Sequence, residues 1–557
     1  MKLRVGVAAG LGLIVALLAV RGMVPAGAGV YYDDGVYLAL AQSLADGDGY
    51  TYANLPGDVP GVKYPPLYPA VLAGALELLP AYPGNLAALK ALNAALIGLA
   101  AALSLLVFVA AWRGPTSAGG SEFVRPDVVM PDHDARVRIG PVAALAVFGL
   151  AALLAWSSAQ TMVLATALLS EPLFLVAAFA ALGLAGRRDA HPALVGLLAA
   201  AAFLTRSIGV AVVAAVVAAE LLRRGPRLGR RLKRLAYLAA GTLPPMAAWL
   251  TWSAARADQI PEPLVGQYGS YAGWYAGGVG GLPGRLGEIA TAHSPTFLSN
   301  LEMLWIPDAA STTANFVLAV LGVVTLVGAA RIARGNLALA LFPFAYLLVV
   351  LTWPYEPDRF FYAIIPALTL LLAAGALALT ERIREDMPRW GGPAVAVVAG
   401  VLWLNSAAYE AEAHTNRAWT MFQAAPAAAY GPLTTWIRDN TPPEAVVASG
   451  LDPYVYWETG RAAVPNFRFL AADYGRYDVS AETLARDFEQ IVAATGARWA
   501  AVIRGQGKAG ATMAAFAALN PERARIVFER EVGAYTAQIY EVLPPGEAFA
   551  AEARDGG

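Results

Sequence analysis

The chain has 557 residues, of which 58% are hydrophobic and 15% are charged, and its formal net charge at pH 7 is −1. Soluble domains carry roughly 25% charged residues, so this composition excludes an ordinary soluble protein and predicts a polytopic helical membrane protein. The absence of cysteine excludes disulfides, thiolate catalysis and cysteine-ligated zinc.

Eleven apolar runs predict eleven membrane-spanning helices, at 5–24, 86–112, 140–160, 171–186, 192–205, 208–222, 235–255, 313–330, 337–353, 360–380 and 392–410. The first run follows Lys2 and Arg4 and also fits a cleaved secretory signal peptide, which would leave the next loop on the same side. Residues 66–80 are apolar too, but a helix of this length reaches about 22 Å, short of the roughly 30 Å hydrocarbon core. We expect them to form a helix at the outer interface.

The positive charges between the runs orient the chain. With a cytoplasmic N-terminus, the inner segments carry twenty Lys and Arg residues, and the outer segments up to residue 410 carry seven. This asymmetry follows the positive-inside rule. We therefore predict a multi-pass protein of the cytoplasmic (inner) membrane, with outer loops at 25–85 and 257–312 and an extracytoplasmic C-terminal domain.

The first outer loop carries two adjacent carboxylates, Asp33 and Asp34. Apolar residues follow them at helical spacing and Gly47 comes after these, which predicts a helix lying flat on the outer leaflet with one carboxylate as its N-cap. A cap needs only one acid, and a second carboxylate is repelled unless it is protonated, paired or bound to a metal. A plain cap is therefore one interpretation, and a functional site is the other.

Three outer cations lie at turns between predicted elements. Lys63 precedes two prolines, Arg206 separates two short apolar runs, and Arg359 lies where a run re-enters the membrane. Each cation alone also fits an anchor for lipid head groups. Together, three cations around one carboxylate loop favour a site for a lipid-linked phosphate or diphosphate.

Further carboxylates are candidates for the same site. Glu171, in the stretch SEPLF, falls at another outer turn, although it also fits a plain carboxylate at a helix N-terminus. Asp308 and Asp358 are additional candidates. Motifs of other chemistries fail: GQGKAGAT at 505–512 lacks the Ser or Thr that a phosphate-binding loop has after its lysine, the four histidines have no metal-ligand spacing, and nothing indicates a nucleic-acid surface.

The sequence predicts a small soluble α/β domain at residues 413–557, after a transmembrane domain at 1–412. Its predicted elements are strands at 445–449 and 498–505, a helix at 480–496, and a closing pair of strands at 523–531 and 534–543. The second outer loop, 257–312, is rich in glycine and aromatic residues, and we expect it to be mobile and to close over an acceptor.

The order of these motifs over residues 1–380 resembles that of a known group, the GT-C fold glycosyltransferases. The motifs are an outer-loop DD, then KYPPLYP, SEPLF, FLTRSIG and DRFFYAIIPAL. The chain is most similar to the protein O-mannosyltransferases and lipid A aminoarabinose transferases. The resemblance implies that Asp33 is the catalytic base and that Lys63 binds the donor phosphate. Two departures, Asp-Asp in place of Asp-Glu and Tyr64 between Lys63 and Pro65, leave open the sugar and the separate roles of Asp33 and Asp34.

The resemblance implies an inverting glycosyltransferase that uses a polyprenyl-phosphate sugar and an acceptor that is a protein, a lipid or a glycan. Asp33 and Asp34 are the expected catalytic residues, and Lys63, Arg359 and Arg206 are expected to bind the donor phosphate. Glu171 is a further carboxylate that could join Asp34 around a divalent cation such as Mg²⁺ or Mn²⁺, which the sequence does not require. A transporter or flippase for a lipid-linked sugar and a membrane scaffold with a binding C-terminal domain are the alternatives.

Overall fold

The structure, a computed structural model, describes residues 2–24, 26–113, 139–223, 227–271, 282–307, 311–353, 357–387, 389–469 and 479–549. It confirms the predicted fold class, because helices dominate the chain up to Asn440 and a small domain with a five-stranded sheet follows. Asp308 and residues 272–281, which hold most of the glycine-rich stretch of the second outer loop, lie outside the described residues.

The helical part contains seventeen α-helices among the described residues. They are α1 (Lys2–Gly22), α2 (Asp33–Asp46), α3 (Leu67–Leu76), α4 (Leu86–Arg113), α5 (Pro141–Ser157), α6 (Ala159–Thr166), α7 (Glu171–Ala185), α8 (Pro192–Thr205), α9 (Val210–Leu221), α10 (Leu228–Arg256), α11 (Val265–Tyr268), α12 (Leu282–Trp305), α13 (Ser311–Ala333), α14 (Leu337–Leu351), α15 (Asp358–Asp386), α16 (Gly391–Asn416) and α17 (Met421–Asn440). Each of the eleven predicted apolar runs coincides with one or two of these helices.

The number of membrane spans is only partly determined by these helices. Among the described residues, five helices are long and apolar enough to cross a membrane: α1, α4, α13, α15 and α16. The pair α5 and α6 counts as a sixth if it is one span, although it bends by 59° at its break. Helices α7, α8, α9 and α14 are apolar but shorter, so the count of eleven spans stays a prediction.

Small residues allow the first two long helices to pack with their backbones in contact. A Cβ atom on Gly12 of α1 would lie 2.6 Å from the carbonyl oxygen of Gly98 in α4. No side chain fits in that distance, and close approach at small residues is how helices associate in membranes. This contact packs α1, which leads to the two carboxylates, against α4.

Helix α2 begins at Asp33 and ends before Gly47, whose φ of 85° is the left-handed conformation expected of a C-cap glycine. Residues 34–41 of α2 are all buried inside protein, and the prediction that this helix lies flat on the outer leaflet stays a prediction. Neither carboxylate is the N-cap. That position is Tyr32, whose φ of 64° is strained for a residue with a side chain.

The C-terminal domain contains β1 (Val446–Ser449), α18 (Asp452–Thr459), β2 (Ala462–Val464), α19 (Ala481–Thr495), β3 (Trp499–Ile503), α20 (Gly507–Leu519), β4 (Ala524–Val532) and β5 (Tyr535–Val542). The strand order is β2-β1-β3-β5-β4, with β1 parallel to β2 and β3, and β5 antiparallel to β3 and β4. All predicted strands and the predicted helix are present. The sequence analysis missed β2, α18 and α20, the helix α17 within residues 413–557, and the helices α11 and α12 in the second outer loop.

The first outer loop and the C-terminal domain share one apolar core. Tyr52 and Tyr68 of the loop belong to the same buried cluster as Phe488, Ile491 and Phe516 of the domain. The domain therefore covers α2 and the segment around Lys63. This packing explains why residues 34–41 of α2 are buried.

Candidate functional site

Asp33 is bound by two groups that come from distant parts of the sequence. The phenol of Tyr64 donates a hydrogen bond of 2.7 Å to Asp33 Oδ1, and the guanidinium of Arg359 pairs with Asp33 Oδ2. Asp33 is the first residue of α2 and Arg359 is the second residue of α15. The starts of two helices thus place one carboxylate against one arginine, as the sequence analysis expected for a common site.

The ion pair continues into a network of alternating charges. Arg359 Nε lies 3.2 Å from Glu171 Oε1, and Glu171 Oε2 lies 2.8 Å from a terminal nitrogen of Arg206. That nitrogen also donates to Ser170 Oγ at 3.1 Å. Glu171 is 0% exposed and Arg206 is 7% exposed, so the network reaches from a partly exposed carboxylate into the protein interior. Two carboxylates and two guanidiniums make the network formally neutral.

A cavity of about 160 Å³ adjoins this network and is lined by both polar and apolar side chains. The polar lining residues are Asp33, Tyr37, Tyr64, Arg206, Ser207 and Tyr271, and the apolar ones are Pro65, Ile208, Val210, Val349, Val350, Trp353 and Phe360. A lining that combines charged and apolar side chains suits a ligand with a charged group attached to a hydrocarbon chain.

Asp33 is a carboxylate at neutral pH. Burial raises its pKa. The charge of Arg359 and the hydrogen bonds from Tyr64 and Arg359 together lower the pKa by a larger amount, so the resulting pKa lies below the ordinary value of an aspartic acid. In the ligand-free state Asp33 is therefore charged and paired, which makes it a weak base.

Asp34 lies in a different environment from its neighbour. It is 2% exposed, and its Oδ1 accepts a hydrogen bond of 3.0 Å from the backbone N–H of Tyr31. Burial raises the pKa of Asp34 to about 6. Asp34 does not line the cavity. The two adjacent carboxylates thus avoid repulsion because one faces the charge network and the other faces the turn before α2.

Lys63 is near the cavity but is held by backbone oxygens. Its Nζ donates to the carbonyl oxygens of Gln267 at 2.7 Å and of Gly266 at 3.4 Å. Burial lowers the pKa of Lys63 to about 8, although the charge of Asp33 raises it. The ammonium lies 5.9 Å from the ring centre of Tyr64 and 5.5 Å from that of Tyr271, and both rings line the cavity.

Asp358, a further candidate carboxylate, lies outside the charge network. It accepts a hydrogen bond of 3.4 Å from Asn300 rather than from a member of that network.

Tyr64 is a site residue that the sequence analysis noted only as a departure from a motif. Its position directly before a proline pair and directly after Lys63 was the available signal.

The described residues do not fit a metal site. Among them, no group of three or more His, Asp or Glu side chains could hold a metal ion. The carboxylates of Asp33 and Glu171 are already joined through the guanidinium of Arg359. We therefore derive no step through a metal ion.

No family model matches the sequence, and no curated protein matches it. Among solved structures, the chain is similar to ArnT from Cupriavidus metallidurans in the apo state, with 14% identity, coverage of 96% of both chains and a TM-score of 0.47. ArnT from the same organism bound to undecaprenyl phosphate has 14% identity, coverage of 96% of this chain and 97% of that chain, and a TM-score of 0.47. The Archaeoglobus fulgidus oligosaccharyltransferase in complex with zinc and sulfate has 13% identity, coverage of 88% of this chain and 68% of that chain, and a TM-score of 0.46.

Proposed function

We propose that the protein is an inverting glycosyltransferase of the GT-C kind that moves a sugar from a polyprenyl-phosphate donor to an acceptor hydroxyl on the outer side of the cytoplasmic membrane. One observation carries the proposal: a carboxylate and an arginine line a cavity together with seven apolar residues. The acceptor is a protein, a lipid or a glycan.

The donor phosphate binds at the arginines of the network. Arg206 lines the cavity, and Arg359 pairs with Asp33, which also lines the cavity. A guanidinium group can donate two parallel hydrogen bonds to two oxygens of one phosphate. Both arginines therefore suit a phosphate better than an ammonium group, which acts as a point charge. Lys63 adds a third cation, and the apolar lining residues receive the first isoprenoid units of the lipid.

Asp33 removes the proton from the acceptor hydroxyl as that oxygen attacks the anomeric carbon. The bond from this carbon to the phosphate oxygen breaks, and the leaving phosphate keeps the electron pair. Because attack and departure occur on opposite faces, the anomeric configuration inverts. The arginines stabilise the charge that develops on the leaving phosphate.

Donor binding also strengthens the base in this mechanism. A phosphate that draws Arg359 away removes the main group that lowers the pKa of Asp33, while burial continues to raise it. Asp33 then becomes a better proton acceptor once the donor is present. Glu171 keeps the two guanidiniums in place, and Asp34 holds the turn that presents Asp33.

The proposal is tested with purified protein in detergent and a panel of labelled polyprenyl-phosphate sugars, with envelope extract as the acceptor source. We expect the wild type to turn over one donor. Asp33→Asn should lose about 10²–10⁴-fold in turnover, the usual contribution of a general base, and should still bind that donor. Asp358→Asn is the matched control, because Asp358 neighbours Arg359 in sequence but bonds to Asn300.

Three results would contradict the proposal or its assignment of the base. Tight donor binding without turnover in the wild type would favour a carrier for a lipid-linked sugar. Neither binding nor turnover across the panel would favour a scaffold. Full turnover in Asp33→Asn would overturn the assignment of the base.

A further inference from the structure

A buried carboxyl group in the C-terminal domain joins three separate segments of the chain. Asp452, the first residue of α18, is 0% exposed. The phenol of Tyr268, from the second outer loop, donates to Asp452 Oδ2. The side-chain amide of Asn54, from the first outer loop, donates to the phenol oxygen of Tyr268 at 2.7 Å and lies 3.5 Å from Asp452 Oδ2. Buried polar groups are costly without partners, so each member of this cluster depends on the others.

The cluster leads directly to the segment that holds Lys63. Tyr268 ends helix α11, and the two carbonyls before it, from Gly266 and Gln267, accept the hydrogen bonds of the Lys63 ammonium. The carbonyl oxygen of Tyr268 accepts from the phenol of Tyr52 at 3.1 Å, and that phenol accepts from the backbone N–H of Lys63 at 3.3 Å. The side chain of Tyr268 thus bonds to Asp452, and its carbonyl oxygen is linked through the phenol of Tyr52 to the backbone of Lys63.

The segment that contains Gly266, Gln267 and Tyr268 also contacts the C-terminal domain at a second place. A Cβ atom on Gly266 would lie 1.6 Å from the carbonyl oxygen of Phe469, so the two backbones are in direct contact. The ring centre of Phe469 lies 6.0 Å from Lys63 Nζ. The C-terminal domain therefore contacts this segment twice, at the Phe469 backbone and through the hydrogen bond between Tyr268 and Asp452.

We propose that Asp452 is a positioning residue for the donor site: through Tyr268 it fixes the carbonyls that hold the Lys63 ammonium. The inference rests on the proposed function, in which Lys63 binds the donor phosphate, and it gives the C-terminal domain a part in donor binding. Asp452 does not line the cavity, so we assign it no contact with the donor, and it acts through Tyr268 and Lys63.

The first experiment is a double-mutant cycle on the affinity for undecaprenyl phosphate, measured in detergent. Asp452→Ala should weaken binding about tenfold, the loss expected when one hydrogen bond that orders a charged group is removed. Asp452→Asn should bind within twofold of wild type, because its amide oxygen still accepts from Tyr268. Burial raises the pKa of Asp452 to about 8, so asparagine closely resembles the mainly neutral carboxyl at pH 7.

The cycle is completed in a Lys63→Met background. If Asp452 acts through Lys63, Asp452→Ala should change the affinity less than twofold in that background. An equal tenfold loss with and without Lys63 would overturn the inference. Arg523→Ala is the control for general damage to the domain, because Arg523 is buried, pairs with Glu489 at 2.5 Å and belongs to neither the cluster nor the cavity. It should lower the melting temperature and leave the affinity unchanged.

The second experiment does not depend on the proposed function. The chain has five lysines, Lys2, Lys63, Lys90, Lys233 and Lys508, so acetylation by trace acetic anhydride can be followed at each one by mass spectrometry. The pH profile at Lys63 should report a pKa of about 8 in the wild type and in Asp452→Asn. In Asp452→Ala it should rise toward the ordinary value of about 10.4, because a loosened segment admits water.

The two experiments fail in distinguishable ways. A wild type that does not bind undecaprenyl phosphate contradicts the proposed function, while the acetylation profile still decides whether Asp452 positions Lys63. An unchanged Lys63 profile in Asp452→Ala overturns the positioning role, even if the donor binds as expected.

Discussion

Asp33 and Asp34 show how one residue step separates two chemical environments. The side chain of Asp33 faces Arg359 and the cavity, and that of Asp34 faces the backbone of the turn that begins near Gly29. The strained backbone of Tyr32 turns the chain immediately before them. A pair that looks redundant in the sequence therefore divides into a residue for the site and a residue for its support.

This division is tested by the pH dependence of stability in Asp34→Asn. The pKa of Asp34 in the folded protein, about 6, lies above its unfolded value of about 3.9. Between these values the folded state binds more protons, so the free energy of unfolding falls as pH rises from about 4 to about 6. Asparagine keeps the oxygen that accepts from Tyr31 and does not titrate. Asp34→Asn should therefore be more stable than wild type at pH 7.5, by about 3 kcal/mol.

The measurement is the thermal unfolding midpoint of both proteins at pH 4.5 and pH 7.5, with turnover at pH 7.5. The stability difference should shrink at pH 4.5, and turnover should stay within about threefold of wild type. A loss of turnover as large as that of Asp33→Asn would show that Asp34 takes part in the chemistry.

The candidate site could be predicted from the sequence as a set of charges but not as a set of contacts. Asp33, Arg206, Arg359 and Glu171 were expected together, because scarce charges at outer turns collect at one membrane surface. Their alternation and the attachment of Lys63 to the carbonyls of residues 266 and 267 depend on side-chain directions. Spacing along the chain does not contain those directions.

Among the elements, α6 lies mostly beyond the predicted span at 140–160, and the chain bends by 59° between α5 and α6. Ser158 separates the two helices, and its Oγ accepts from the N–H of Thr161 at 3.3 Å, as an N-cap does. Glu410 on α16 accepts from the N–H of Ala159 at 2.8 Å and is 4% exposed. The stretch WSSAQ, with two serines at the end of an apolar run, was a signal for this break, but the acceptor on a helix 250 residues later was not visible.

Removing that acceptor should destabilise the helical part. Glu410→Ala leaves an N–H at the start of α6 without its buried partner, and we expect a loss of about 1–3 kcal/mol. Glu410→Gln retains a carbonyl oxygen and should lose less than half as much. The melting temperatures of the two variants in detergent check this order, and equal values for both would show that the hydrogen bond is not the cause.

In the whole molecule, the C-terminal domain forms part of the wall around the first outer loop. Trp457 Nε1 donates to the carbonyl oxygen of Gly35 at 3.0 Å, and a Cβ atom on Gly35 would lie 2.7 Å from Pro453 Cβ. The predicted strands of this domain were found because alternation marks them. Its docking was not predicted, because contacts between segments more than 400 residues apart leave no periodic pattern.

This docking makes Gly35 a sensitive position. Gly35→Ala should push α18 away from the turn that carries Asp33, lowering turnover at least fivefold and increasing proteolysis in the C-terminal domain. Gly74→Ala is the matched control, because a Cβ atom there meets nothing within 4 Å. Unchanged cleavage together with wild-type turnover in Gly35→Ala would contradict the tight docking.

The neutral network of Asp33, Arg359, Glu171 and Arg206 also constrains how the sequence can diverge. Losing one charge leaves its neighbour unpaired, and breaking a buried ion pair from one side costs about 3–5 kcal/mol. That cost is heaviest at Glu171 and Arg206, whose side chains are 1% and 7% exposed. A change at one of the four positions should therefore be tolerated only with a compensating change at another.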